Sequence, residues 1–224
     1  MRSWFFYLVL GLFPALAEAG PWAREKGKSF LSFSVTATTP TGDIGTTPEF
    51  FGAFYMERGL GRDLTLGFDT GINQEMDTTS IMFLRRPVGG TNGANRFALQ
   101  LGAGTTVSSE GVDYLGQAGA SWGRGLETRF GAGWAVLDLS AQYRITAQEL
   151  VSKADLTFGV KPNERTKIMM QLQTGKYPDS DLFVRLVPSV ARKIGERTQV
   201  ELGAQIGLSG DDRVGIKLGT WLEF

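Results

Sequence analysis

The sequence contains neither cysteine nor histidine. Without cysteine there is no disulfide framework, and without either residue the usual zinc sites are excluded. A serine nucleophile also needs a neighbouring base, for which only lysine or a carboxylate is available here. Ser108, Ser109 and Glu110 are the candidate triplet, but their pattern is typical of a solvated turn. We therefore expect no enzyme activity, no metal and no cofactor.

An excess of charge of either sign is also missing, because 23 basic residues balance 23 acidic ones. Nucleic-acid binding generally requires a basic excess, so we expect no nucleic-acid partner.

Long apolar runs are confined to the N-terminus, where Arg2 precedes an apolar stretch from Trp4 to Ala17. A basic start, a short apolar core and the small residues Ala17 and Ala19 predict a secretory signal peptide over 1–19, cleaved after Ala19. The alternative is a membrane anchor, but the run is shorter than the roughly 20 residues that a spanning helix needs. Residues 20–224 are then a single domain.

Two-residue alternation dominates this domain and is clearest at the C-terminus. Apolar or small side chains there occupy one face: Val214, Ile216, Leu218, Thr220, Leu222 and Phe224. The intervening positions carry Arg213, Gly215, Lys217, Gly219, Trp221 and Glu223. Successive side chains of a β-strand point to opposite faces, so the pattern predicts a strand with one apolar surface.

The same reasoning predicts about twelve strands, each near the 9–11 residues that a tilted strand needs to cross a bilayer. They lie at 28–37, 49–58, 63–73, 78–86, 95–107, 112–123, 131–145, 151–161, 166–175, 182–193, 198–209 and 213–224. The predicted fold class is all-β, an antiparallel up-and-down transmembrane β-barrel.

The charges of the connections alternate in sign along the chain, as expected if successive turns lie at opposite ends of a barrel. Odd-numbered connections are acidic and contain Asp43, Glu75, Asp77, Glu110, Asp113, Glu149, Asp179, Asp181, Asp211 and Asp212. Even-numbered connections and the N-terminal lead are rich in bases, namely Arg24, Lys26, Lys28, Arg58, Arg62, Arg85, Arg86, Arg96, Arg124, Arg129, Lys161, Arg165, Lys167, Arg192, Lys193 and Arg197. Glu57 is among the acids assigned to this second group.

Alternation alone does not say which face points inward, and a soluble barrel that binds an apolar ligand is the alternative. Aromatic residues on the apolar face near strand ends favour a membrane barrel, since they predict interfacial girdles. The candidates are Phe97, Trp122 and Phe224 at one end and Phe50, Tyr114 and Tyr143 at the other.

Leu218, Thr220, Leu222 and the terminal Phe224 form an alternating strand that ends in an aromatic residue. This strand resembles the C-terminal assembly signal of Gram-negative outer-membrane β-barrel proteins as a class. The resemblance implies export through the periplasm, the barrel-assembly machinery as a partner, and insertion among outer-membrane lipid and lipopolysaccharide.

Charged residues on the polar face at mid-depth are candidates for the barrel lumen: Asp69, Asp138, Arg144, Asp155, Arg185, Glu201 and Lys217. In one interpretation they tune the selectivity of a narrow channel or transport barrel for small polar solutes. In the other they neutralise one another in the plugged lumen of a structural or interaction barrel.

The predicted cleavage site gives a first testable expectation. The exported protein should have the mass of residues 20–224, and Ala19→Leu should accumulate the longer precursor because the site requires a small residue. Mass spectrometry of the membrane fraction measures both, with Ala15→Leu as a control that should be processed normally. Retention of residues 1–19 in the exported wild-type protein would contradict the prediction.

Overall fold

The computed structural model describes residues 20–43, 45–89, 94–178 and 180–224. The predicted signal peptide at 1–19 and the acidic Asp179 lie outside these residues. Within the described residues, no helix is long and apolar enough to cross a membrane.

The described residues form twelve strands, in agreement with the prediction of about twelve. They are β1 (Ser29–Pro40), β2 (Glu49–Gly61), β3 (Leu64–Ile72), β4 (Thr78–Val88), β5 (Asn95–Ser108), β6 (Gly111–Thr128), β7 (Gly131–Arg144), β8 (Glu149–Asn163), β9 (Thr166–Lys176), β10 (Phe183–Lys193), β11 (Thr198–Ser209) and β12 (Arg213–Glu223). Most bounds agree with the prediction to within three residues, but β6 continues five residues beyond the predicted end at 123.

Each strand pairs antiparallel with its neighbour in the chain, and β1 pairs with β12 to close the barrel. The closing register runs from Phe30 opposite Glu223 to Pro40 opposite Arg213. The backbone N–H of Ser29 donates to the carbonyl of Phe224 at 2.6 Å, so the last residue is tied to the first strand. This arrangement confirms the predicted up-and-down barrel. We call the end where these two residues meet the inner end.

The outer wall is apolar, as the alternation predicted. Leu101, Leu202 and Leu218 point outward and are 71%, 57% and 57% exposed. Five of the six predicted girdle residues are also exposed, namely Phe97, Phe224, Phe50, Tyr114 and Tyr143, and the sixth, Trp122, is half-buried. A soluble barrel with an apolar ligand inside would show the reverse distribution.

The inner wall is less purely polar than predicted, because aromatic rings lie flat on inward-facing glycines. A Cβ on Gly67 would lie 2.0 Å from Cζ of Phe83, and one on Gly159 would lie 2.1 Å from Cζ2 of Trp134. These glycines therefore make room for rings from the neighbouring strands. The face that the alternation predicted to be polar therefore also carries large aromatic rings at these positions.

The two faces of the wall should differ sharply in their tolerance of charge. Leu101→Arg should lower the free energy of unfolding by about 2–4 kcal/mol, because it places a charge in lipid. Ser140→Arg is the matched control, because Ser140 lines the cavity. It precedes Ala141, which pairs with Ala118, and Ala118 in turn pairs with Leu101. Urea unfolding in lipid vesicles measures both, and equal losses would contradict the assignment of the faces.

Candidate functional site: the barrel interior

Two adjoining cavities occupy the middle and outer parts of the lumen, with volumes of about 430 and 850 Å³. Asp69, Gln142, Lys153 and Asp155 line both. The remaining lining of each mixes carboxamides, hydroxyls and charges with aromatic rings.

All seven lumen candidates from the sequence line one or both cavities. The middle cavity is lined by Asp69, Asp138, Asp155, Glu201 and Lys217, and the outer one by Asp69, Arg144, Asp155 and Arg185. The inward register that the alternation predicted is therefore the observed one. Whether these residues set selectivity remains a prediction.

Three of the lumenal cations are neutralised locally. Nζ of Lys217 lies 3.1 Å from each carboxylate oxygen of Glu201, and Nε1 of Trp221 donates a hydrogen bond to Oε2 of the same carboxylate at 3.2 Å. Arg144 pairs with Glu149 at 3.0 Å, and Arg185 pairs with Asp211. Each of these three cations is therefore paired with a carboxylate of its own.

The lumenal aspartates form a second group with less compensation. Asp138 and Asp155 are register partners on β7 and β8, and Ser121 donates a hydrogen bond to Asp138 at 2.5 Å. Lys153 lies close enough to Asp69 and Asp155 for their charges to interact. Lys153 thus faces two of the three carboxylates, and the third, Asp138, interacts with the charge of Arg85. Two cations for three aspartates leave this part of the lumen acidic.

A buried ionic cluster lies nearer the inner end. Glu57, whose side chain is 1% exposed, accepts a hydrogen bond from Arg85 and one from Arg24, each at 2.5 Å. The hydroxyl of Tyr55 donates to the same carboxylate at 2.5 Å, and Arg85 also donates to Gln100 at 2.9 Å.

The sequence analysis placed Glu57 and Arg85 among the connections, and this was wrong. Both belong to strands, β2 and β4, and point into the lumen. The two-residue alternation indicates this inward direction, because Glu57 lies on the same strand face as Tyr55 and Arg85 lies on the same strand face as Phe83. The short apolar run Ile81–Leu84 hid the period, because Ile81 and Phe83 point inward while Met82 and Leu84 point outward.

Residues 20–28, which we call the inner-mouth segment, fold back into the inner end of the barrel. Pro21 is fully buried, and Nη1 of Arg85 donates to the carbonyl of Gly20 at 3.1 Å. A Cβ on Gly123 of β6 would lie 2.6 Å from the Trp22 ring and 2.7 Å from Pro21. The sequence analysis assigned Arg24 to a basic rim, whereas the structure places its side chain against Glu57.

Solved structures with similar folds are outer-membrane barrels. An outer membrane channel from Pseudomonas putida F1 superposes with a TM-score of 0.63 and 10% identity, over 92% of this chain and 99% of that chain. NanC porin superposes with a TM-score of 0.58 and 10% identity, over 87% of this chain and 100% of that chain. KdgM porin in complex with disordered oligogalacturonate superposes with a TM-score of 0.58 and 9% identity, over 86% of this chain and 99% of that chain.

No protein-family model matches the sequence, and no curated protein matches it significantly. At such low identities the structural likeness establishes the shared fold, a closed β-barrel.

Glu57 should be critical for stability because it is the carboxylate between two buried arginines. Removing one partner of a buried ion pair costs about 3–5 kcal/mol, so Glu57→Gln should lower the free energy of unfolding by that order. Glu149→Gln is the matched control, since its pair with Arg144 is partly exposed and should be worth about 1 kcal/mol or less. Equal effects of the two changes in denaturant titrations would contradict the role assigned to Glu57.

Proposed function

We propose that this protein is an integral outer-membrane channel for small polar solutes. The observation that carries the proposal is a closed barrel that is apolar outside and encloses two adjoining, polar-lined cavities. Porins and a channel share this fold, and one of these porins was solved with a bound oligogalacturonate.

The outer wall supports the membrane location. Exposed aromatic residues lie towards both strand ends, Phe97 and Phe224 at the inner end and Tyr114 and Tyr143 at the outer end. Amphipathic rings favour the interface between lipid and water, so the two sets mark the limits of a lipid-embedded band. The wall then contacts lipid and, at the outer rim, lipopolysaccharide. The barrel-assembly machinery would recognise the terminal strand that ends at Phe224.

The charge arrangement of the lumen favours cations over anions. Arg144, Arg185 and Lys217 are each paired with a carboxylate, whereas Asp69 and Asp155 share Lys153. Fixed carboxylates in a narrow, low-dielectric passage attract cations and repel anions. The predominantly acidic turns at the outer end act in the same direction.

A structural barrel with a plugged lumen is the second candidate, and the inner-mouth segment is the observation that favours it. A closed lumen is compatible with a channel only if that segment moves. We propose no catalytic role: barrel folds do host unrelated functions, but this chain has no histidine to act as a base.

Ion selectivity tests the proposal directly. In planar bilayers with a salt gradient, the protein should pass K⁺ more readily than Cl⁻, and Asp155→Asn should lower that preference because it removes a lumenal charge. Lys217→Gln should raise the preference and Glu201→Gln should lower it, since each leaves the other member of the pair uncompensated.

Glu164→Gln, on the exposed turn between β8 and β9, is the matched control and should leave the permeability ratio unchanged. Equal permeation of both ions in all variants would contradict the role of these residues. A lack of conductance across several salts, in the wild type and in the variants of the inner-mouth segment described below, would contradict the channel itself.

A further inference from the structure

We propose that the inner-mouth segment is a gate, which closes the inner end of the lumen and must leave it for solutes to pass. The inference rests on the proposed channel function. In this proposal residues 20–28 close the channel, and a single side chain, Arg24, controls the release of the segment.

The segment crosses most of the bore. Arg24 pairs with Glu57 on β2, while Pro21 and Trp22 lie against Gly123 on β6. A Cβ on Gly20 would lie 3.1 Å from Val136 on β7. In a ring of twelve strands, opposite strands are six apart, and β2 and β7 are five apart. Contacts with both walls therefore place the segment across nearly the full width of the lumen.

The segment is fixed differently at its two ends. Near β1 it is held by main-chain hydrogen bonds, from N–H of Gly27 to the carbonyl of Gly59 at 2.9 Å and from N–H of Gly59 to the carbonyl of Lys28 at 3.0 Å. Further in, the polar contacts involve side chains: Arg24 with Glu57, the N–H of Arg24 with the hydroxyl of Thr65, and the carbonyl of Gly20 with Arg85. Residues 27–28, the root of the segment, are thus part of the barrel. Residues 20–24, its tip, are docked on the barrel wall.

Releasing the tip leaves the hydrogen bonds within the wall in place. Glu57, Arg85, Tyr55 and Gln100 remain hydrogen-bonded to one another when Arg24 is removed. Arg24 is the less satisfied arginine of the cluster, because its Nη2 is buried without a hydrogen-bond partner among the described residues. An unmade hydrogen bond of a buried charged donor costs free energy, which lowers the barrier to undocking.

Gly27 lies at the junction of root and tip. Its φ is +83°, a conformation that other residues adopt rarely. Hydrogen bonds from N–H of Gly27 to the carbonyl of Gly59 and from N–H of Lys28 to the carbonyl of Glu25 hold this junction. The part of the segment that leaves the lumen is therefore residues 20–24.

Two independent variants test the gate without replacing Glu57, Arg85, Tyr55 or Gln100. Arg24→Gln removes the ion pair of the tip, and Gly123→Leu fills the space that Pro21 and Trp22 occupy. Both should raise the open fraction in planar bilayers, Arg24→Gln by roughly tenfold, the effect of losing one hydrogen bond to a charged group.

The matched controls are Arg165→Gln on the exposed turn between β8 and β9, and Gly125→Leu, on the same strand and face as Gly123. No atom lies within 4 Å of a Cβ built on Gly125. Both controls should behave as the wild type.

Accessibility of the tip gives a second readout that does not depend on conduction. Because the chain has no cysteine, Trp22→Cys introduces a unique thiol, and its reaction with a hydrophilic maleimide should be slow. Adding Arg24→Gln should accelerate that reaction by roughly the same tenfold factor, whereas Arg165→Gln should not.

The outcomes separate the gate from the channel. Conductance that is the same in the wild type, both release variants and both controls, with maleimide rates also unchanged by Arg24→Gln, would overturn the gate and leave the channel standing. Silent bilayers in every variant, although Arg24→Gln accelerates labelling, would show a segment that undocks in a barrel that does not conduct. That result would overturn both proposals.

Discussion

The structure depends on one constraint, that backbone N–H and C=O groups facing lipid must find their partners within the protein. Pairing of β1 with β12 satisfies it, because a closed antiparallel sheet leaves no edge. Once the ring is closed, the period of two along each strand assigns alternate side chains to lipid or to the lumen. The apolar wall and the polar cavities are therefore two consequences of the same closure.

Closure also creates an interior that must be filled or solvated. The barrel does both, at different depths. Towards the outer end, paired and partly compensated charges line open cavities, where water can solvate the remaining polar atoms. Towards the inner end, aromatic rings lie on glycines, and Glu57 joins two arginines in a buried cluster. Burying an isolated charge would be far more costly than burying this hydrogen-bonded group.

The contrast between the two ends of the lumen links structure to function. Cavities and an acidic lining suit a conducting passage, while the inner-mouth segment closes it. The two features are compatible because the tip of that segment docks on a wall that has hydrogen bonds of its own, which link Glu57, Arg85, Tyr55 and Gln100 without it. A channel built in this way retains its barrel when the gate moves.

The sequence alone was sufficient for about twelve strands, their order and the division of each strand into an apolar and a polar face, with Asp138 and Glu201 on the polar one. These properties are local: they follow from strand alternation and from turns that join consecutive strands. The sequence could not show that Arg24 contacts Glu57, 33 residues away, or that Arg85 contacts Gly20, 65 residues away. Those contacts exist only after the ring has closed and brought distant strands around one bore. The inner-mouth segment has no periodic pattern, so only the tertiary structure decided its place, through the shape and charge of the wall that receives it.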